Sequence, residues 1–113
     1  MSRTVVGEPY KASLLVLYLD GDAPVQAWGT INGYPFYFRS RGAGWQFAVS
    51  NLRGDYRQAV RVAVGEQPGF VMERRYGRHP YDASVISYSL VMTIIRRAAR
   101  AFLAFSARLN TVG

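Results

Sequence analysis

The chain has 113 residues, half of them apolar, and a formal charge of +7 from fourteen basic and seven acidic side chains. That length suits one domain, 1–113, with its own core, and the composition is neither disordered nor collagenous. With no cysteine, disulfides, thiolate nucleophiles and cysteine metal sites are excluded together, and a reducing compartment is allowed.

Residues 1–11 carry Gly7 and Pro9 without periodicity and read as a loose lead-in. Met1-Ser2-Arg3 runs into Glu8 and Lys11 before any apolar stretch, which is not the layout of a secretory signal. The uncharged stretch Ala83 to Ile95 falls short of the ~20 residues that span a bilayer. The expectation is a cytoplasmic protein without membrane insertion.

Ala12–Leu19 is a near-continuous apolar run whose length favours a strand buried on both faces, and Asp20-Gly21-Asp22-Ala23-Pro24 breaks it. Asn32-Gly33 lies between Gln26–Ile31 and Tyr34–Arg39. It supplies the positive φ that a two-residue type I′ turn needs, so these flanks pair as a hairpin. After the turn Ser40–Gly44, Trp45–Ser50 continues the alternation. Phe36, Phe38, Trp45, Phe47 and Val49 share a face that must be buried, while Tyr37, Arg39, Gln46, Ala48 and Ser50 share one that can meet water.

From Tyr56 to Val64, Val60, Val62 and Val64 alternate with Arg57, Ala59, Arg61 and Ala63, a pattern read as an edge or half-exposed strand. Glu66–Gly69 is a turn, and Phe70–Tyr76 a further strand, completing a sheet over 12–76. Asp82 or Ser84 can cap a helix running to Leu109. Its stripe is Tyr88, Val91, Ile95, Ala98, Phe102, Phe105 and Leu109, with Ser89, Thr93, Arg96, Arg97, Arg100 and Arg108 opposite. The pattern predicts an α+β fold: an antiparallel β-meander of about five to six strands packed against one long C-terminal helix over 82–109.

A helix of that length, roughly 40 Å, exceeds a sheet about 25 Å wide. Phe102, Leu103, Phe105 and Leu109 would then overhang, too apolar to stay wet, and so are expected to meet a second subunit or a partner.

No catalytic or cofactor motif stands out. The lone histidine, His79, has Asp82, Ser84 and Ser87 near it in sequence, but no Gly-x-Ser-x-Gly elbow accompanies it. A hydrolase or transferase centred on His79 is the least favoured reading. The seven carboxylates offer one close pair, Asp20 and Asp22, better explained as a turn, so neither metal nor cofactor is expected. No phosphate-binding loop exists, and Arg53-Gly54-Asp55, an adhesion tripeptide by spelling, reads as a turn.

The basic residues carry more. All but Lys11 of the fourteen are arginine, which suits phosphate and carboxylate recognition, although a GC-rich genome would supply arginine for any cation. Arg39, Arg41, Arg57, Arg61, Arg74 and Arg75 come from predicted strands or turns, with Tyr37 beside Arg39; Arg96, Arg97 and Arg100 form a second set on the helix. Such a surface stacks bases and tracks phosphates, grips an acidic protein patch, or is merely a solvated sheet face. The leading expectation is a small non-catalytic binding protein for an anionic macromolecule, nucleic acid or acidic protein, forming a homodimer through the C-terminal helix. The alternative is a mobile-element inhibitor or accessory protein of the anti-CRISPR type, which blocks a larger complex by protein contact.

Tyr37-Phe38-Arg39-Ser40-Arg41, Trp45-Gln46-Phe47 and Tyr81-Asp82-Ala83-Ser84 together resemble small uncharacterised bacterial, plasmid or phage α+β proteins. The resemblance covers about two-thirds of the chain and implies no activity, cofactor or site residue.

Overall fold

The computed structural model describes residues 4–7, 13–20, 25–41, 44–75 and 87–112. Strands β1 (Thr4–Gly7), β2 (Ser13–Asp20), β3 (Val25–Ile31), β4 (Tyr34–Arg41), β5 (Gly44–Ser50) and β6 (Gly69–Arg75) form one antiparallel sheet in chain order. Helix α1 (Tyr56–Ala63) lies between β5 and β6, and helix α2 (Tyr88–Val112) follows. The α+β meander with a long C-terminal helix is the fold found.

Asn32 and Gly33, with φ of 52° and 85°, make the turn between β3 and β4, and Ile31 pairs with Tyr34 across it. Register then follows pattern. Phe36 faces Val49 and Phe38 faces Phe47 across β4 and β5, while Tyr37 faces Ala48 and Arg39 faces Gln46. Phe36, Phe38 and Phe47 are fully buried, each worth about 1.5–3 kcal/mol of apolar transfer. Helix α2 covers that face with Val91, Ile94, Ile95, Ala98, Ala99 and Phe102.

Ser87 caps the helix, which begins at Tyr88. The Ser87 hydroxyl accepts from the Leu90 N–H at 3.2 Å, and its carbonyl accepts from the Val91 N–H at 3.0 Å. Asp82 and Ser84, the expected caps, lie outside the described residues, as does His79. At the start of α2 the Tyr88 hydroxyl donates to Asp20 on β2 at 3.1 Å; further along, Phe102 packs edge-on against Phe70 of β6 at 5.6 Å. The helix therefore crosses the sheet obliquely from β2 to β6. This corrects the expectation that Phe102 and Leu103 overhang: Phe102 is buried and Leu103 packs on the core within the same chain. Phe105 touches Phe70 at 5.5 Å but stays 42% exposed, and the Leu109 side chain lies outside the described residues.

Two other expectations change, and one feature of β2 is new. The lead-in contains a strand: Thr4–Gly7 pairs with Ser13–Val16 as β1. Strand β2 carries a bulge between Val16 and Tyr18. The run Tyr56–Ala63 is a helix, not a strand. Asp55 caps it, its carboxylate accepting from the Arg57 N–H at 2.9 Å, and Gly65 follows its end with φ 81°. Ala59 and Val62, one helical turn apart, are buried on the sheet face opposite α2. Small residues at Ala48 and Ala59, both fully buried, let helix and sheet approach closely. Valine alternation had suggested a strand, but Val64 is 63% exposed and only Val62 of the three is buried.

Because α1 occupies it, the second sheet face does not simply meet water. Tyr37, Ala48 and Ser50 are buried there. The Ser50 hydroxyl accepts from the Leu52 N–H at 2.9 Å and the Gln67 amide at 3.0 Å, tying down the loops that flank α1.

Candidate functional site

Two rows of side chains cross the sheet on the α1 side. Paired positions give Tyr18, Trp28, Tyr37, Ala48 and Val71 as one row, and Asp20, Gln26, Arg39, Gln46 and Glu73 as the next. Helix α1 covers the middle of the first row, leaving the second along its flank.

At the β4–β6 end the second row opens into a cleft of about 560 Å³ lined by Arg39, Gly44, Trp45, Gln46, Glu73, Arg74 and Arg75. Gln46 is its fixed point: its amide donates to the Glu73 carboxylate and to the Ala63 carbonyl at the end of α1, both at 2.8 Å. Glu73 is thereby engaged, and the Arg74 guanidinium donates to the Glu73 carbonyl at 2.7 Å. Among the described residues Arg39 and Arg75 have no carboxylate partner. Three arginines against one carboxylate among its lining residues favour a positive potential; Trp45 also lines it, with its ring packed on Phe38 at 6.1 Å on the α2 side of the sheet. Such a set can hold an anion. It holds no nucleophile–base pair of the kind acyl transfer requires.

The expected site residues separate accordingly. Arg39, Arg74 and Arg75 converge in the cleft. Arg57 and Arg61 project from α1, not from a strand, and Arg57 pairs with Asp55 at 3.5 Å in solvent. Arg96, Arg97 and Arg100 stand on the exposed side of α2, away from the cleft. Arg41 belongs to β4, but its side chain lies outside the described residues. Tyr37 is withdrawn as a stacking surface: it is 8% exposed beneath α1, and its hydroxyl donates to Gln26 at 2.8 Å. Burial raises the Tyr37 phenol pKa above its ordinary value, with Arg39 opposing the shift.

Sequence reasoning missed Trp45, Gln46 and Glu73 as cleft walls, although the Arg39–Gln46 pairing followed from the hairpin register. It also missed an aromatic column. Tyr18 and Trp28 stack at 4.1 Å and 12°, and Trp28 and Tyr56 at 4.1 Å and 11°. The Tyr18 hydroxyl donates to Asp20 at 3.3 Å, and burial followed by the Asp20 charge raises its pKa.

A second cavity, about 370 Å³, lies between Tyr34, Phe70 and the Phe102–Ser106 part of α2. Among the described residues no group of histidines and carboxylates is placed to hold a metal, and no helix is long and apolar enough to cross a membrane.

Compared with protein-family models, with curated proteins and with solved structures, the chain matches none of them.

Proposed function

We propose that this chain is a non-catalytic binding protein that engages an anionic partner through the cleft at the β4–β6 end of the sheet. The observation that carries the reading is the convergence of Arg39, Arg74 and Arg75 on one open hollow whose single carboxylate, Glu73, is already held by Gln46. Arginine suits the task because its planar fork meets phosphate or carboxylate oxygens two at a time. Arg61, in the last turn of α1, extends the positive surface from the cleft along the helix.

The test is binding of a labelled single-stranded oligonucleotide, followed by fluorescence anisotropy across a salt series. Affinity should fall linearly on a log–log plot, and Arg39→Ala/Arg74→Ala/Arg75→Ala should flatten that slope by about 2, near 0.7 per lost phosphate contact. Arg96→Ala/Arg97→Ala on α2 serves as the comparison and should leave the slope alone. Failure to bind nucleic acid at low salt, with retained binding of an acidic polypeptide, keeps the cleft and makes the partner a protein. Failure with both polyanions, or equal loss from the α2 variant, defeats the reading.

A further inference from the structure

We infer that the cavity beneath the outer half of α2 is a second binding site, independent of the arginine cleft, for a small, neutral, flat aromatic molecule that carries one hydrogen-bonding group.

Cavity and cleft lie at opposite ends of the same strands. Tyr34 opens β4, Ser50 closes β5 and Phe70 stands near the start of β6, whereas the cleft gathers Arg39, Gly44 and Arg75 from the other ends. A change of residue size on one helix face makes the hollow. The core stripe of α2 runs through Val91, Ile95, Ala98 and Phe102, and its next step, one turn on, is Ser106. A large side chain there would fill the space towards Tyr34 and Phe70; serine leaves about 370 Å³. That volume is near the lower end of the ~300–1,000 Å³ of small-molecule pockets, which limits the occupant to a compact ring system.

The walls set its character. Phe70 meets Phe102 edge-on at 5.6 Å and Phe105 at 5.5 Å with the planes 46° apart. Rings turned to one another at such angles offer faces and edges against which a further flat ring packs. Phe105 is 42% exposed, so a guest lying on it removes apolar surface from water. No charged side chain is among the lining residues, although the chain carries +7 overall. A charged guest would lose water there and gain no ion pair.

Two polar side chains are left to orient the guest. Ser106 and Asn51 line the cavity, and among the described residues neither side chain has a hydrogen-bond partner. Thr93 of the same helix shows the ordinary arrangement, its hydroxyl donating back to the Ser89 carbonyl at 3.1 Å. The Ser50 hydroxyl at the cavity rim is already engaged by the Leu52 N–H and the Gln67 amide. A few convergent polar groups in an aromatic hollow are how small-ligand sites fix orientation.

Indole, a flat neutral bicycle with one N–H, is the probe. In amide NMR spectra of the full chain it should shift Asn51, Phe70 and Phe102–Ser106 and leave Arg39, Arg74 and Arg75 in place. The dissociation constant should be on the order of 1 mM or below. Ser106→Trp, which fills the cavity from within, should abolish these shifts, with circular dichroism checking that it folds. Phe105→Ala should weaken indole about tenfold. Asn51→Leu/Ser106→Ala should weaken indole several-fold and leave indene, the same shape without the N–H, unaffected. Indole-3-acetate, the anionic analogue, should shift the cleft amides instead. Absence of indole shifts at the cavity, shifts that survive Ser106→Trp, or an unaffected Phe105→Ala overturns the inference. Indole-3-acetate entering the cavity as well as indole does overturns its neutral character, and an unaffected double variant overturns the hydrogen-bonding group. None of these results touches the anionic reading of the cleft, which the salt series decides separately.

Discussion

Gly29 shows how closely single residues are specified. It sits on β3 between Val16 and Phe36, where a Cβ would run into the Leu15 carbonyl and the Phe36 ring. Gly29→Ala should destabilise the chain by about 1–3 kcal/mol, read as a lower urea midpoint at unchanged slope. Tyr37 makes a second residue-level prediction. Its folded pKa is raised above the ordinary value of 10.0 mainly by burial. The unfolded chain therefore releases this proton first as pH rises. Stability is full below pH 10 and falls between the unfolded and folded values, since the native state then binds more protons. Tyr37→Phe should abolish this alkaline loss while costing about 0.5–1.5 kcal/mol at neutral pH, because the hydrogen bond to Gln26 disappears. Denaturation series at pH 7 and above pH 10 measure both.

At the scale of elements, α1 is the informative case. An eight-residue helix is too short to stand alone, so its cap and its buried face must hold it. Asp55→Ala should cost about 0.5–2 kcal/mol and raise hydrogen exchange first in α1. The adhesion-like Arg53-Gly54-Asp55 has local work instead: the Arg53 guanidinium lies 4.5 Å over the Tyr34 ring, and Asp55 starts the helix. Period-2 alternation of valines and arginines pointed to a strand, and the Asp55 cap with Gly65 beyond the end was the signal that outweighed it. In α2 the stripe through Val91, Ile95, Ala98 and Phe102 was legible because a 25-residue helix repeats its pattern many times. Phe102→Ala should cost about 3–5 kcal/mol, since the ring fills the junction of core and β6.

Across the molecule, two helices on opposite faces make the sheet a middle layer, and the polar chemistry is left to its rim. Arginines distant in sequence meet at one end because β4, β5 and β6 are neighbours in register. Removing Arg39, Arg74 and Arg75 together should leave thermal stability nearly unchanged, as these exposed or half-exposed side chains carry little packing. A large fall in melting temperature would mean that the cluster is structural and not held for a partner.

The sequence by itself determined the Asn32-Gly33 hairpin, the ring-bearing face of Phe36, Phe38 and Phe47, and the long amphipathic helix that shelters it. Each depends on local torsion preference or on periodicity, which neighbouring residues encode. Only the tertiary structure decided that Tyr56–Ala63 coils, that Tyr37 is covered, that Tyr18 joins Trp28 and Tyr56, and that three arginines share a hollow. Those outcomes depend on strand register, on one bulge and on which face a short helix occupies, and contacts across many residues of chain set them.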